Sequence, residues 1–175
     1  MEQDIVIRET TKEDFEAVFR FIELVDNDFC PPLSQRRGGI CERVENTLAV
    51  PYANYLVAQL REPEPSDQMQ GFVAMAGCTE KWQSEDGVYV NFFATHPSYR
   101  KSGIGKLLLS RLEGKLLAKG FRRIYLCTWS GNEKAKRFYE GFGYSTYSVI
   151  LNDRGNGIDT FNYRKMIVSV KAAKE

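Results

Sequence analysis

From Tyr99 to Leu109 the chain reads Tyr-Arg-Lys-Ser-Gly-Ile-Gly-Lys-Leu-Leu-Leu, a basic, glycine-punctuated turn that follows an apolar run and opens an amphipathic helix. A helix N-terminus leaves its first four amides unpaired and its dipole favours negative charge, so such a junction suits a phosphate. Neither common nucleotide cradle fits. Gly103-Ile104-Gly105 lacks the third glycine of a dinucleotide fingerprint, and Lys106 is followed by Leu107 where a P-loop needs Ser or Thr. The amides of Lys101, Ser102, Gly103, Ile104, Gly105 and Lys106 are the expected donors, with Gly103 and Gly105 permitting positive φ and close approach of the anion. Arg100, Lys101 and Lys106 add attraction.

A second segment follows, running from Asn132 through Ala135, Phe138 and Tyr139 to Gly143 and Tyr144. Together the two resemble the paired motifs of the GNAT superfamily of N-acetyltransferases: R/Q-x-x-G-x-G/A in the turn, and N-x-x-A-x-x-F-Y-x-x-x-G-F/Y downstream. The resemblance is clear from about Gly87 to Tyr144, weaker over Ile7–Asp14 and absent between about Phe29 and Val50. It implies acetyl coenzyme A as acyl donor, its pyrophosphate on the 100–106 turn. Its pantetheine arm would pair with the backbone of Phe93, Ala94 and Thr95, a case of strand addition. Asn132 is an ordinary helix N-cap and, by resemblance, also a coenzyme A contact. Tyr139 falls where the family's tyrosine hydroxyl protonates the departing thiolate. A phenol of pKa ~10 and a thiol of pKa ~8.5 make that transfer only slightly uphill. A core tyrosine with its hydroxyl at the rim is the competing role.

The other half of the chemistry is a base. A lysine-like amine of pKa ~10.4 is almost wholly protonated at pH 7, so a proton must leave before the amine attacks. Many family members carry a glutamate on the strand before the turn, but here that strand reads Val88-Tyr89-Val90-Asn91-Phe92-Phe93, with no carboxylate. The substitutes are Glu80, Glu85, Asp86 or Tyr89 through water. Asp26, Asn27 and Asp28 form a further polar cluster that could face a cationic acceptor. The tetrahedral oxyanion falls to a backbone amide near Phe93 or Ala94. Cys127 is a rival nucleophile for a two-step route, though a strand cysteine without a neighbouring histidine reads more simply as core.

These residues need a frame. Ile5–Ile7 reads as a strand, and Thr10 or Thr11 with Glu13 and Asp14 as a helix start. The helix carries Phe15, Val18, Phe19, Ile22 and Val25 on one stripe. Pro31-Pro32 stops it, and Leu33–Val50 holds one or two short helices broken at Gly38-Gly39. Tyr55–Leu60, Gly71–Ala76 and Val88–Thr95 read as strands. A helix over Ile104–Lys119 follows, with Ile104, Leu107, Leu108, Leu112 and Leu116 apolar and Gly120 as its stop. Then come a strand over Arg123–Thr128, a helix over Asn132–Glu140, and strands over Tyr144–Leu151 and Thr160–Val168 joined by a turn-rich connection. Pattern alone gives α/β or α+β. The resemblance implies one GNAT-like domain over residues 1–175, with a mixed, mostly antiparallel sheet, a splayed V-shaped cleft and flanking helices.

Composition excludes several classes. The 175 residues suit a single domain, and 24 basic against 23 acidic side chains leave a net charge of +1, so neither nucleic acid nor an anionic membrane is an expected partner. Cys30, Cys41, Cys78 and Cys127 form no C-x-x-C pair, and His96 is the sole histidine, which leaves no metal site and no disulfide framework. Without a basic, apolar leader or a long apolar run, the expected location is the cytoplasm. The acceptor is a small-molecule or peptide amine, its pocket falling to residues 29–50 and 77–87, and a homodimer is left open. A non-catalytic acyl-coenzyme A sensor is the alternative function, kept by the missing strand glutamate.

Overall fold

The computed structural model describes residues 5–168. Its strands are β1 (Ile5–Glu9), β2 (Ala53–Leu60), β3 (Phe72–Glu80), β4 (Gly87–Thr95), β5 (Arg123–Trp129), β6 (Ser145–Ile150) and β7 (Thr160–Met166). The α-helices are α1 (Phe15–Val25), α2 (Gly39–Ala49), α3 (Ile104–Ala118) and α4 (Glu133–Gly141). The seven strands form one mixed sheet in which β1–β2, β2–β3, β5–β7 and β6–β7 pair antiparallel and β4–β5 parallel. The chain divides into two compact units, with β4 and α3 contributing one end to each.

The first unit runs to Thr79 and from Val90 to Leu112, with strands in the order β1-β2-β3-β4. Its core is built where α1 lays Ala17, Val18, Phe21, Ile22 and Val25 against Tyr55, Val57, Met75 and Phe92, with Ile40 and Val44 of α2 completing it. Phe92 is 1% exposed and meets the rings of Phe21, Phe29 and Tyr55 at centroid distances of 6.5, 5.2 and 6.3 Å. The α1 stripe is shifted from its expected place. Phe21 and Ala17 turn inward, while Phe15 and Phe19 stack on each other at 6.3 Å on the margin of the core. The apolar residues of α1 exceed one stripe, and contact with β2 and β4 selects the face that is buried. At its start, Arg8 grips Asp14 through two bonds of 2.8 and 2.7 Å and holds that carboxyl below the usual carboxylate range.

Gly38 and Gly39 take φ of 80° and 62°, which breaks the chain before α2 as their adjacency predicts. Along α3 the buried residues are Ile104, Leu108, Leu109, Leu112 and Leu116, whereas Leu107 is 41% exposed. The i, i+4 row from Ile104 decides that face, and Leu107 falls off it.

The second unit holds Glu80–Tyr89 and the chain from Glu113 onward, with strands in the order β4-β5-β7-β6. β4 and β5 pair over Gly87↔Arg123, Val88↔Ile124 and Tyr89↔Tyr125. Its buried side chains include Ile124, Leu126, Tyr139, Tyr144 and Tyr163. Tyr144 donates to Glu113 at 2.9 Å, and Lys165 pairs with the same carboxylate at 2.7 Å.

Candidate active site

The 100–106 turn, the expected phosphate cradle, belongs to the first unit. After β4 a short 3-10 turn spans Pro97–Tyr99, His96 capping it by accepting the Ser98 amide at 3.2 Å, so the one histidine serves the loop. Ser102 donates to the Tyr99 carbonyl at 2.5 Å. The first bond of α3 runs from the Leu107 amide to the Gly103 carbonyl at 3.0 Å. Among the described residues, the amides of 101–106 donate to no protein acceptor. These are the donors the sequence points to. Left-handed backbone is used at Lys101 (φ 65°) and Gly103 (φ 89°), whereas Gly105 lies within the helix, which corrects the expectation of a second positive φ there. A Cβ on Gly103 would meet no protein atom within 4 Å, so the space over the turn is open to an anion.

Lys101 and Lys106 are exposed and form no ion pair among the described residues. Arg100 is committed differently: Nε donates to the Thr95 carbonyl at 3.1 Å and Nη2 pairs with Asp28. Asp26 accepts from the amide and hydroxyl of Ser34 at 3.0 and 2.5 Å. Two of the three residues in the polar cluster at the end of α1, Asp26 and Asp28, are thus paired with the protein's own groups. Phe93, Ala94 and Thr95 form the half-buried end of β4, while Val88, Val90 and Phe92 are buried. One face of this strand is core, as the alternation requires.

The second unit carries the other residues. Asn132 caps α4, its side chain accepting the Ala135 amide at 3.2 Å. Asn132→Ala is expected to lower stability by about 1 kcal/mol through the lost cap, read as a urea midpoint, and to weaken coenzyme A binding as a separate effect. Tyr139 is 7% exposed, between the rings of Tyr144 at 5.8 Å and Tyr163 at 6.1 Å. Burial first, and then the nearby Cys127, push its phenol above the ordinary tyrosine value. It stays protonated.

Near it lies a group that pattern reading only half saw. The Tyr89 hydroxyl and Cys127 Sγ are 3.1 Å apart, Arg154 donates to the same sulfur at 3.5 Å, and Tyr89 stacks on Trp82 at 4.8 Å. Burial first, and then the adjacent Cys127, push the Tyr89 phenol up as well, so it stays protonated. The carboxylates are engaged elsewhere: Glu80 with Lys119 at 3.0 Å, Glu85 with Lys81 at 3.1 Å, and Asp86 with Ser84 at 2.8 Å and Arg123 at 3.6 Å. Among the described residues no His, Cys, Asp and Glu side chains are grouped to hold a metal, and no helix is long and apolar enough to cross a membrane. All four cysteines are free thiols.

The profile of the Acetyltransferase (GNAT) family matches residues 36–144, more than half of the sequence. This chain belongs to that family. An acetyltransferase of Pectobacterium atrosepticum is 37% identical over 59 residues, 34% of this chain, and the chain spans only 42% of the length of that curated relative. In fold it is similar to the ribosomal-protein-S18-alanine N-acetyltransferase of Escherichia coli (TM-score 0.72, 17% identity, 98% of this chain and 99% of that one). It is also similar to an aminoglycoside 6′-N-acetyltransferase complexed with coenzyme A (TM-score 0.74, 18% identity, 93% and 97%). A third similar structure is Arabidopsis thaliana NAA60 in complex with acetyl-CoA (TM-score 0.73, 18% identity, 93% and 98%).

Proposed function

We propose that this chain transfers an acetyl, or another short acyl group, from acetyl coenzyme A to a primary amine by direct attack in a ternary complex. The observation that carries the reading is the 101–106 turn, whose amides have no protein acceptor beneath an open Gly103. Similar structures that hold coenzyme A or acetyl-CoA support the choice of anion. In this reading the turn binds the pyrophosphate, the backbone of Phe93–Thr95 pairs with the pantetheine arm, and Asn132 adds a contact. The neutral amine attacks the thioester carbon, the carbon–sulfur bond breaks, and the sulfur takes its proton from the Tyr139 hydroxyl. The proton released by the amine leaves through water, with Tyr89 as a relay, and restores Tyr139.

The test is thermal stability with and without acetyl coenzyme A, then thiol release with a panel of polyamines, amino acids, aminoglycosides and peptides. A ligand at ~100 times its Kd contributes about 2.7 kcal/mol of stability. No shift at millimolar cofactor would remove the reading. The absence of a carboxylate inside β4 favours one alternative, a non-catalytic acyl-coenzyme A sensor; thiol release with any amine excludes it.

The pH dependence follows from the same geometry. Turnover is expected to rise with pH as the neutral amine fraction grows. Because burial lifts the Tyr139 phenol above its ordinary value, the rate should not turn down around pH ~10, where an unperturbed tyrosine would ionise. A rate profile with a stable acceptor checks this, and a downturn centred there would show that Tyr139 titrates as an ordinary phenol.

A further inference from the structure

Arg43, on α2 in the first unit, reaches β4 with its side chain; the family match over 36–144 includes it, which narrows the expected gap in resemblance over Phe29–Val50 to the residues before 36. Its Nη2 donates to the Asn91 carbonyl at 2.7 Å and to Asn91 Oδ1 at 3.0 Å, and Asn91 Nδ2 in turn donates to the Thr79 hydroxyl at 2.8 Å. Three elements therefore hold the guanidinium in one orientation. Gly77 makes the room: a Cβ there would come within 2.8 Å of both Asn91 Oδ1 and the Tyr55 ring.

Among the described residues no carboxylate reaches Arg43, whose neighbours are neutral: the two Asn91 oxygens and the ring hydroxyl of fully buried Tyr55. Tyr55 cannot become the counterion, since burial raises its phenol despite the neighbouring arginine. A half-buried guanidinium held in one orientation by neutral groups, with no carboxylate of the protein beside it, is suited to pair with a carboxylate brought by a ligand. Asn91 stands two residues before Phe93, about 7 Å along the strand, on the segment that the proposed function assigns to the acyl arm.

We infer that Arg43 is the specificity determinant for the acceptor, and that the acceptor is a small primary amine carrying a carboxylate, which Arg43 binds while the amine reaches the thioester. This rests on the acyl-transfer reading. The spacing along β4 favours a carboxylate several bonds from the amine over an α-amino acid.

The experiment compares matched pairs, 4-aminobutyrate with butylamine and 6-aminohexanoate with hexylamine, in wild type, Arg43→Gln and Arg43→Lys. A charge-assisted hydrogen bond predicts that wild type prefers the carboxylate member by about 10- to 100-fold in kcat/KM. Arg43→Gln should erase the preference with the KM for acetyl coenzyme A unchanged, and Arg43→Lys should keep part of it. Thermal stabilisation by 4-acetamidobutyrate, which cannot react, should appear in wild type and vanish in Arg43→Gln. Equal use of both members by wild type, a preference surviving in Arg43→Gln, or no stabilisation by 4-acetamidobutyrate overturns the inference and leaves acyl transfer standing. If acetyl coenzyme A neither binds nor turns over, acyl transfer itself fails, and the 4-acetamidobutyrate shift still reports on Arg43.

Discussion

Tyr139→Phe is expected to lower turnover by roughly 10²-fold or more while leaving the dissociation constant of coenzyme A nearly unchanged. The ring is locked between Tyr144 and Tyr163 and is 7% exposed, so phenylalanine fills the same space and the change reduces to the hydroxyl. That hydroxyl is the proton source assigned to the leaving thiolate. It makes no contact with the phosphates in the proposed arrangement, which is why binding and turnover should separate. Steady-state kinetics beside calorimetric titration with coenzyme A makes the measurement. A phenylalanine variant with wild-type kcat would return Tyr139 to a packing role.

Gly103→Val should abolish stabilisation by acetyl coenzyme A, removing the ~2.7 kcal/mol expected at a hundredfold excess over Kd. The fold should survive. A Cβ at this position collides with no protein atom, so the intrinsic cost is the strain of a β-branched residue at φ 89°, about 1–2 kcal/mol. The branched side chain instead fills the space over the amides of 101–106. Gly103→Ala, with a smaller obstruction, should bind with intermediate affinity. Cofactor stabilisation of the valine variant equal to wild type would mean that the turn opens a helix and does nothing more.

Much of the frame was legible because it is written in local pattern. The turn at Gly38-Gly39, the cap at Asn132, the stop at Gly120 and the strand before Pro97 each follow from a residue type whose backbone or hydrogen-bonding preference acts on its nearest neighbours. The faces of the helices were less legible. Apolar residues outnumber the places in a stripe on α1 and α3; contact with β2 and β4 turned Phe21 inward and set Phe15 and Phe19 at the margin, while on α3 the row from Ile104 is buried and Leu107 is left exposed.

By itself, the sequence determined the glycine-punctuated turn that opens α3, the family motifs at 100–105 and 132–144, and a β4 without a carboxylate, since these depend on residue identity and short spacing. Only the tertiary structure decided which charges are free. It tied Arg100 to Asp28 across 72 residues, Tyr89 to Cys127 across 38 and Arg43 to Asn91 across 48. Pairings of that separation depend on strand register and helix placement, and no local propensity records them. Burial is set in the same way: the core around Tyr139 keeps its proton in place, and that environment exists only once residues distant in sequence have closed around the ring.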